Sequence, residues 1–425
     1  MRISVVTLFP EMFDSVLSAS VFGRAMKAGL VQVDFVNPRD FATNKHKSVD
    51  DTPYGGGPGM VMKCDSLVAA IESVSGNNSH RILLSPVGKT FDHKRARELA
   101  GHSHIVFVCG RYEGIDERVV DLAIDESLSI GDYVLTGGEL GAMVIMDTIA
   151  RFVPEVLGHA ESADDESFAS GLLEYPQYTR PAEFRGRGVP EVLFSGHHAK
   201  IKEWRHEESL RRTAIHRPEL FANQAEQISD LAARTYVVLA HHPVLDRNAK
   251  IVTTSITNFD IHDIARACAT FGIAGYFPVT PIALQREKMN RIVDIWRKEI
   301  TQRGASDRGR ALGRVSIEDS IESAIATIEK RHKHKAWVVA TSAQATDLAP
   351  STSCEKLLAD RCADPATPLI LILGTGWGLH NSVYSLSNQV LMPIEGIGDY
   401  NHLSVRSALA AILDRIFGKG SQATP

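Results

Sequence analysis

His104-Ile-Val-Phe-Val-Cys-Gly-Arg-Tyr-Glu-Gly-Ile-Asp-Glu-Arg118 sets an apolar run directly against a dense group of charged residues and glycines. The Val- and Ile-rich part reads as a buried strand. In open α/β sheets ligands sit at the carboxyl ends of strands, which is where Gly110, Arg111, Tyr112, Glu113, Asp116 and Arg118 fall. Gly110 permits close backbone approach. The competing reading is a solvated turn with surface ion pairs.

Working outward, the apolar runs ISVVTLF (3–9), VQVDFVN (31–37) and HRILLSP (80–86), and the segment IGDYVLTGGELGAMVIMDTIARF (130–152), alternate with helix-like stretches. That alternation predicts the parallel strands of an α/β domain over residues 1–160. ESADDESFASG (161–171) is acidic and short of bulky side chains, so 161–175 reads as a mobile linker. Residues 176–235 turn helical. From 236 to 425 a second α/β pattern runs through TYVVLAHH, AKIVTTSI, IAGYFPVT, KAWVVATS, PLILILGTG and NQVLMPI. The tail GKGSQATP reads as disordered.

The bulk numbers fit this division. A chain of 425 residues suits two or three domains, with 44% hydrophobic and 23% charged residues as in ordinary globular proteins. No apolar stretch approaches the roughly 18 residues needed to span a bilayer. The start MRISVVTLFPEMF lacks the parts of a secretory signal, so the cytoplasm is the expected compartment. Five scattered cysteines without a C-x-x-C pair argue against a disulfide framework or a cysteine-built zinc site. A net charge of −5 gives no bulk sign of a polyanion partner, so a nucleic-acid surface would have to be local.

Such a local surface is readable. Residues 176–217 hold nine Lys/Arg against five Asp/Glu, a net of +4, with four histidines besides. Tyr175, Tyr178 and Trp204 are available to stack, which suits a phosphate-contacting module. A solvated helix face is the alternative. Two further segments suit ligand loops. Tyr54-Gly-Gly-Gly-Pro-Gly-Met60 is too glycine-rich for an element interior and lacks the Lys-Ser/Thr ending of a phosphate loop. Ser129-Ile-Gly-Asp-Tyr-Val-Leu-Thr-Gly-Gly-Glu-Leu140 offers glycine-exposed amides among the apolar walls Ile130, Tyr133 and Leu135, as a cofactor pocket requires. Either could instead be a structural turn.

Taken in order, LFPEMF, YGGGPGM, LLSPVG, CGRYEGIDER, SIGDYVLTGGELGAM, GLLEYPQYTRP and VPEVLFSGHH resemble the bacterial tRNA (guanine-N1)-methyltransferase family. The resemblance implies a trefoil-knotted SPOUT fold, a homodimer, and transfer of methyl from S-adenosyl-L-methionine to N1 of guanine 37, beside the anticodon. It implies a cofactor pocket built from Ser85, Pro86, Gly110, Ile130, Gly131, Asp132, Tyr133, Val134 and Leu135. It makes Arg151 the catalytic arginine and puts Tyr112 and Glu113 near the target base. The family's base is an Asp in an Asp-Ser-Phe triplet; here the run is Asp164-Asp165-Glu166-Ser167-Phe168, so Glu166 takes that place by register, or Asp165 if the register slips by one. Glutamate carries the same group on a longer stem, with a similar reference pKa. Arg180, Lys200, Arg205, Arg211 and Arg212 would clamp the anticodon stem-loop through phosphates. Magnesium is expected with the family, although no oxygen cage is readable.

Beyond residue 236, the stretches Asn258–Ile273, Leu373–Leu379, Met392–Gly398 and Asn401–Ile412 resemble the other SPOUT branch, the ribose 2′-O-methyltransferase type. Gly374-Thr-Gly-Trp-Gly378 is G-x-G-x-G, not the G-x-G-x-x-G of a dinucleotide loop. The resemblance leaves the role of this domain open. Arg266, Asn401 and Ser404 could bind cofactor or RNA in a second methyltransferase, or the domain could serve only to dimerise or to hold tRNA. A chain that binds tRNA without turnover is a further alternative.

Overall fold

A computed structural model describes residues 1–157, 165–303, 307–398 and 400–418, with backbone only over 297–303. Residues 161–164 of the expected linker and 419–425 of the expected disordered tail lie outside the described residues. The chain divides into two compact units, Met1–Ser170 and Gly171–Pro425.

Unit 1 is built on five parallel strands: β1 (Arg2–Val6), β2 (Gln32–Val36), β3 (Ser79–Thr90), β4 (His104–Cys109) and β5 (Glu126–Ser129). Their order in the sheet is β2-β1-β4-β3-β5, with Ile3 opposite Ile105 and Leu84 opposite Cys109. Successive side chains of a strand point to opposite faces. Ile105 and Phe107 therefore enter one core with Ile3, Val5 and Ile149, while Val106 and Val108 enter another with Val6, Leu67 and Ile71. Apolar packing on both faces is why these strands read as continuous hydrophobic runs. Helices α1 (Ser20–Lys27), α2 (Cys64–Val74), α3 (His93–Leu99), α4 (Arg118–Ala123) and α5 (Glu139–Ala150) connect and cover them.

The pairing of β3 with β5 breaks after Leu84 and resumes at Lys89. Pro86 has no N–H to give to a ladder, so Ser85-Pro86-Val87-Gly88 leaves the regular sheet at that point. At this irregularity Ser85 and Pro86 line a cavity.

Unit 2 carries α6 (His198–His216), α7 (Ala225–Ala233), β6 (Thr235–Ala240), α8 (Asn258–Thr270), β7 (Gly275–Val279), α9 (Ala283–Arg303), α10 (Asp307–Leu312), α11 (Ile321–His332), β8 (Trp337–Thr341), β9 (Ser351–Thr352), α12 (Cys354–Cys362), β10 (Leu369–Gly374), β11 (Gln389–Leu391) and α13 (Val405–Phe417). Its six-stranded parallel sheet is ordered β7-β6-β10-β8-β11-β9. Without the two-residue edge strand β9, the order in chain sequence is second, first, fourth, third, fifth, as in unit 1. The helical stretch shares a buried core with this sheet: Leu210, Ala214, Phe221 and Leu231 cluster with Val237 and Leu239.

Candidate cofactor pocket and catalytic pair

In unit 1 the break within β3 and the loops following β4 and β5 converge on one cavity of about 200 Å³. Of the nine residues predicted to hold cofactor, Ser85, Pro86, Gly110, Ile130, Gly131, Tyr133, Val134 and Leu135 line it. Asp132 lies in the same loop but is exposed and is not among the lining residues. Leu83 and Leu84 of the LLSPVG motif supply an apolar floor together with Leu128, which the sequence motifs do not single out. Apolar walls combined with glycine-exposed amides fit the adenosine and methionine portions of S-adenosylmethionine. At the mouth, the Tyr133 ring folds back over Gly131, and its hydroxyl donates to the carbonyl of Ile130 at 3.3 Å.

The glycines have positional reasons. A Cβ on Gly138 would stand 2.8 Å from the Cα of Cys109, so only glycine lets the start of α5 press against the end of β4. There the Gly138 N–H donates to the carbonyl of Gly110 at 3.0 Å. The glycine-rich loop that opens at Tyr54 is stitched to the β4 loop as well: Glu113 N–H donates to Met60 and Met62 N–H to Gly114, at 3.0 and 2.9 Å. Gly59, at φ +86°, passes so close to Glu113 that any Cβ would overlap its carboxylate. Tyr112 sits at φ +61°, a conformation that a non-glycine residue holds only when its surroundings impose it.

A buried ion pair joins two of the pocket's walls. Arg111 Nε donates to Glu139 Oε1 at 3.1 Å and lies 3.0 Å from Oε2, while Arg111 Nη1 donates to the carbonyl of Thr136 at 3.2 Å. Glu139, the first residue of α5, is fully buried and also accepts from the Thr7 hydroxyl at 2.8 Å. The Arg111 guanidinium lies 4.5 Å from the centroid of the Phe9 ring. Beneath the pocket, burial pushes the Cys109 thiol well above its ordinary range, so it is an inert core group.

Arg151 closes α5, and its guanidinium is ion-paired with Glu166. Both side chains are partly exposed. Nearby His93 has a buried Nε2 without a hydrogen-bond partner among the described residues. Burial first, and the charge of Arg97 second, push its pKa below the ordinary value, with Arg151 adding to the effect and Glu166 opposing it. Asp164, one of the acids of the predicted linker run, lies outside the described residues.

In unit 2 the predicted phosphate-contacting residues are distributed over α6 and the segment before it. Arg205 lies 4.5 Å from the Tyr175 ring centroid, and Tyr178 and Trp204 approach with centroids 6.4 Å apart. Arg180 and Lys200 are exposed, whereas Arg211 is ion-paired with Glu208. Among the described residues no group of three or more His, Cys, Asp or Glu is placed to hold a metal ion, so the expected magnesium finds no protein cage there. No helix among the described residues is long and apolar enough to cross a membrane.

Comparison with known proteins fits this geometry. Residues 1–223 match the family described as tRNA (Guanine-1)-methyltransferase TrmD, and residues 234–418 match one described as SAM-dependent RNA methyltransferase. The tRNA (guanine-N(1)-)-methyltransferase of Oleidesulfovibrio alaskensis is 43% identical, over 98% of this chain and 99% of its own length. That of Nitratidesulfovibrio vulgaris is 39% identical over the same shares. A Geobacter sulfurreducens protein with that name is 54% identical, over 54% of this chain and 95% of its own length. With a family match over its first 223 residues and relatives that align along nearly all of it, the chain belongs to the tRNA (guanine-1)-methyltransferase family and carries in addition a domain of the SAM-dependent RNA methyltransferase family.

Proposed function

We propose that the chain transfers methyl from S-adenosylmethionine to N1 of guanine 37 in tRNA. The observation that carries this reading is the convergence of the β3 break and two strand-end loops on one cavity, in the unit that also holds the Arg151–Glu166 pair. The cofactor supplies an electrophilic methyl group. Ile130, Leu135 and Pro86 would hold its apolar parts, and the amides around Gly110 and Gly131 its polar edges.

Guanine N1 bears a proton and is a poor nucleophile until that proton leaves. Glu166 takes it as general base. Negative charge then moves towards the guanine carbonyl oxygen, where the Arg151 guanidinium stabilises it. Glu166 must leave Arg151 to reach the base, so substrate entry exchanges one ion pair for two productive contacts. Arg180, Lys200, Arg205 and Arg212 meet the phosphates of the anticodon stem-loop, and Arg211 joins them by releasing Glu208.

The same reading includes a trefoil knot in unit 1, a homodimer and a cytoplasmic enzyme. Exposed Val87, Val134, Leu140 and Val144, close to the cavity in sequence and structure, support the homodimer as a surface for a second copy. We retain the division into a methyltransferase domain (1–160), a linker (161–175), a tRNA-gripping segment (176–235) and a second SPOUT-like domain (236–425).

The test is transfer of labelled methyl to tRNA transcripts with guanine or adenine at position 37, followed by nucleoside analysis. Guanine-dependent 1-methylguanosine is expected; tight tRNA binding with no transfer would replace this reading with a binding-only role. A second reading, that residues 236–425 methylate another nucleotide, is favoured by the strand order common to both sheets. It predicts a further methylated nucleoside that persists in Arg151→Ala.

A further inference from the structure

Outside the cofactor pocket, unit 2 holds a second cavity, of about 670 Å³, between α8 and α10. Four arginines line it: Arg266 on α8, Arg308 and Arg310 on α10, and Arg314 just beyond. Among the described residues the lining includes one acid, Asp307, so their formal charge is four minus one, or +3. Guanidinium stays charged at any working pH, and the imbalance is therefore permanent.

Contacts among the described residues do not neutralise it. Arg266 and Arg310 are exposed and have no ion-pair or side-chain hydrogen-bond partner among the described residues. Arg308 rests 5.0 Å from the Trp296 ring centroid, and Arg314 donates to the carbonyl of Ile273. Asp263, the acid closest in sequence to Arg266, faces Arg406 at 3.5 Å. His262, one turn before Arg266, reports the local field: burial and then the Arg308 charge, with Arg266 adding, push its imidazole below the ordinary pKa, against an opposing Asp263. Its Nδ1 is buried without a hydrogen-bond partner among the described residues.

The lining also says what the cavity does not take. Thr270 and two alanines complete the described lining, which has no aromatic plate for a base and no apolar wall for a cofactor. Guanidinium forks match phosphate oxygens two at a time, and contacts of this kind position a nucleic acid without reading its sequence. A cavity with room for several phosphates suits a chain of them better than a single ion.

We propose that this arginine-lined cavity binds the phosphate backbone of RNA, giving the enzyme a tRNA contact in the C-terminal domain besides the one on α6. The inference rests on the reading of the chain as a tRNA-modifying enzyme. Each guanidinium that meets a phosphate displaces a condensed counterion, so binding weakens as salt rises.

The test is binding of a labelled tRNA transcript to the full chain across a salt series, for wild type, Arg266→Gln/Arg310→Gln and Arg266→Lys/Arg310→Lys. Both positions are exposed, and equal melting temperatures check folding. The Gln pair is expected to bind about tenfold or more weakly at low salt, with a salt slope shallower by about one for each phosphate no longer neutralised. The Lys pair, which keeps the charge, should hold the slope. Wild-type affinity and slope in the Gln pair overturn the proposal. So does a pyrophosphate-induced thermal shift that the Gln pair loses while tRNA binding is unchanged, since that assigns the cavity to a small polyphosphate. Wild-type protein that binds tRNA through these arginines but transfers no methyl sinks the catalytic reading alone; protein that binds no tRNA sinks both.

Discussion

Glu166 and Arg151 are ion-paired with each other. The two groups proposed for catalysis thus neutralise one another. Both side chains are partly exposed, so water screens the pair and the cost of parting them is small, on the order of 1 kcal/mol or less.

Removing the base while keeping its shape should therefore abolish chemistry and spare binding. Glu166→Gln is expected to lower single-turnover methyl transfer by about 100- to 10,000-fold, with tRNA and cofactor affinities near wild type. Glu166→Asp, with the carboxylate on a shorter stem, should recover most of the rate. If Glu166→Gln transfers normally and Asp165→Asn does not, the base is Asp165 and the register is shifted by one.

Glu139 holds the pocket together from below. Its carboxylate is fully buried between Arg111 and Thr7, tying the β4 loop to the start of α5. Glu139→Ala leaves the Arg111 guanidinium without its buried partner, which typically costs about 3–5 kcal/mol. The expected outcome is that loss in urea unfolding of unit 1, with weaker S-adenosylmethionine binding by calorimetry. Glu139→Gln, which still accepts from Thr7, should lose less stability. A Glu139→Ala protein with wild-type cofactor affinity would show that the loops hold their places without this pair.

That network explains what can and cannot be seen in the sequence. Gly110, Ile130 and Leu135 are legible because glycines and polar groups crowd the ends of apolar runs, and such runs become parallel strands. Glu139 is not legible: a glutamate opening a helix normally sits in water beside the helix dipole. Its burial depends on Thr7 and Arg111, which are brought to it only by the order of the strands. Asp132 belongs to the motif but not to the cavity lining, because neighbouring side chains in a tight loop point different ways. Arg266 is visible as a binding candidate, but its convergence with Arg308 and Arg310 depends on α8 packing beside α10.

Gly138 tests the close approach on which the pocket depends. The Cβ of Gly138→Ala would meet the Cys109 backbone at 2.8 Å, and backbone cannot rotate aside as a side chain can. The start of α5 must shift, stretching the Gly138–Gly110 hydrogen bond and moving the cofactor-facing loop. A stability loss of about 1–3 kcal/mol is expected, with cofactor affinity reduced more than affinity for tRNA. Equal losses in both affinities would point to general unfolding instead.

His241 gives unit 2 a pH dependence of definite sign. The ring is buried just after β6, with Nδ1 2.9 Å from the Thr254 hydroxyl, and burial pushes its pKa down to about 4. The unfolded chain binds a proton at this residue near the ordinary value of about 6.5, whereas the folded chain resists it. Unfolding therefore takes up a proton between those two values, and folded stability falls as pH falls from about 6.5 towards about 4, with no contribution above that window. Between pH 7 and pH 5 this single group should cost unit 2 about 2 kcal/mol. Urea unfolding of wild type and His241→Gln at both pH values measures it: the variant begins less stable at pH 7 but loses less on acidification. Parallel losses in the two proteins would assign the acid sensitivity to other groups.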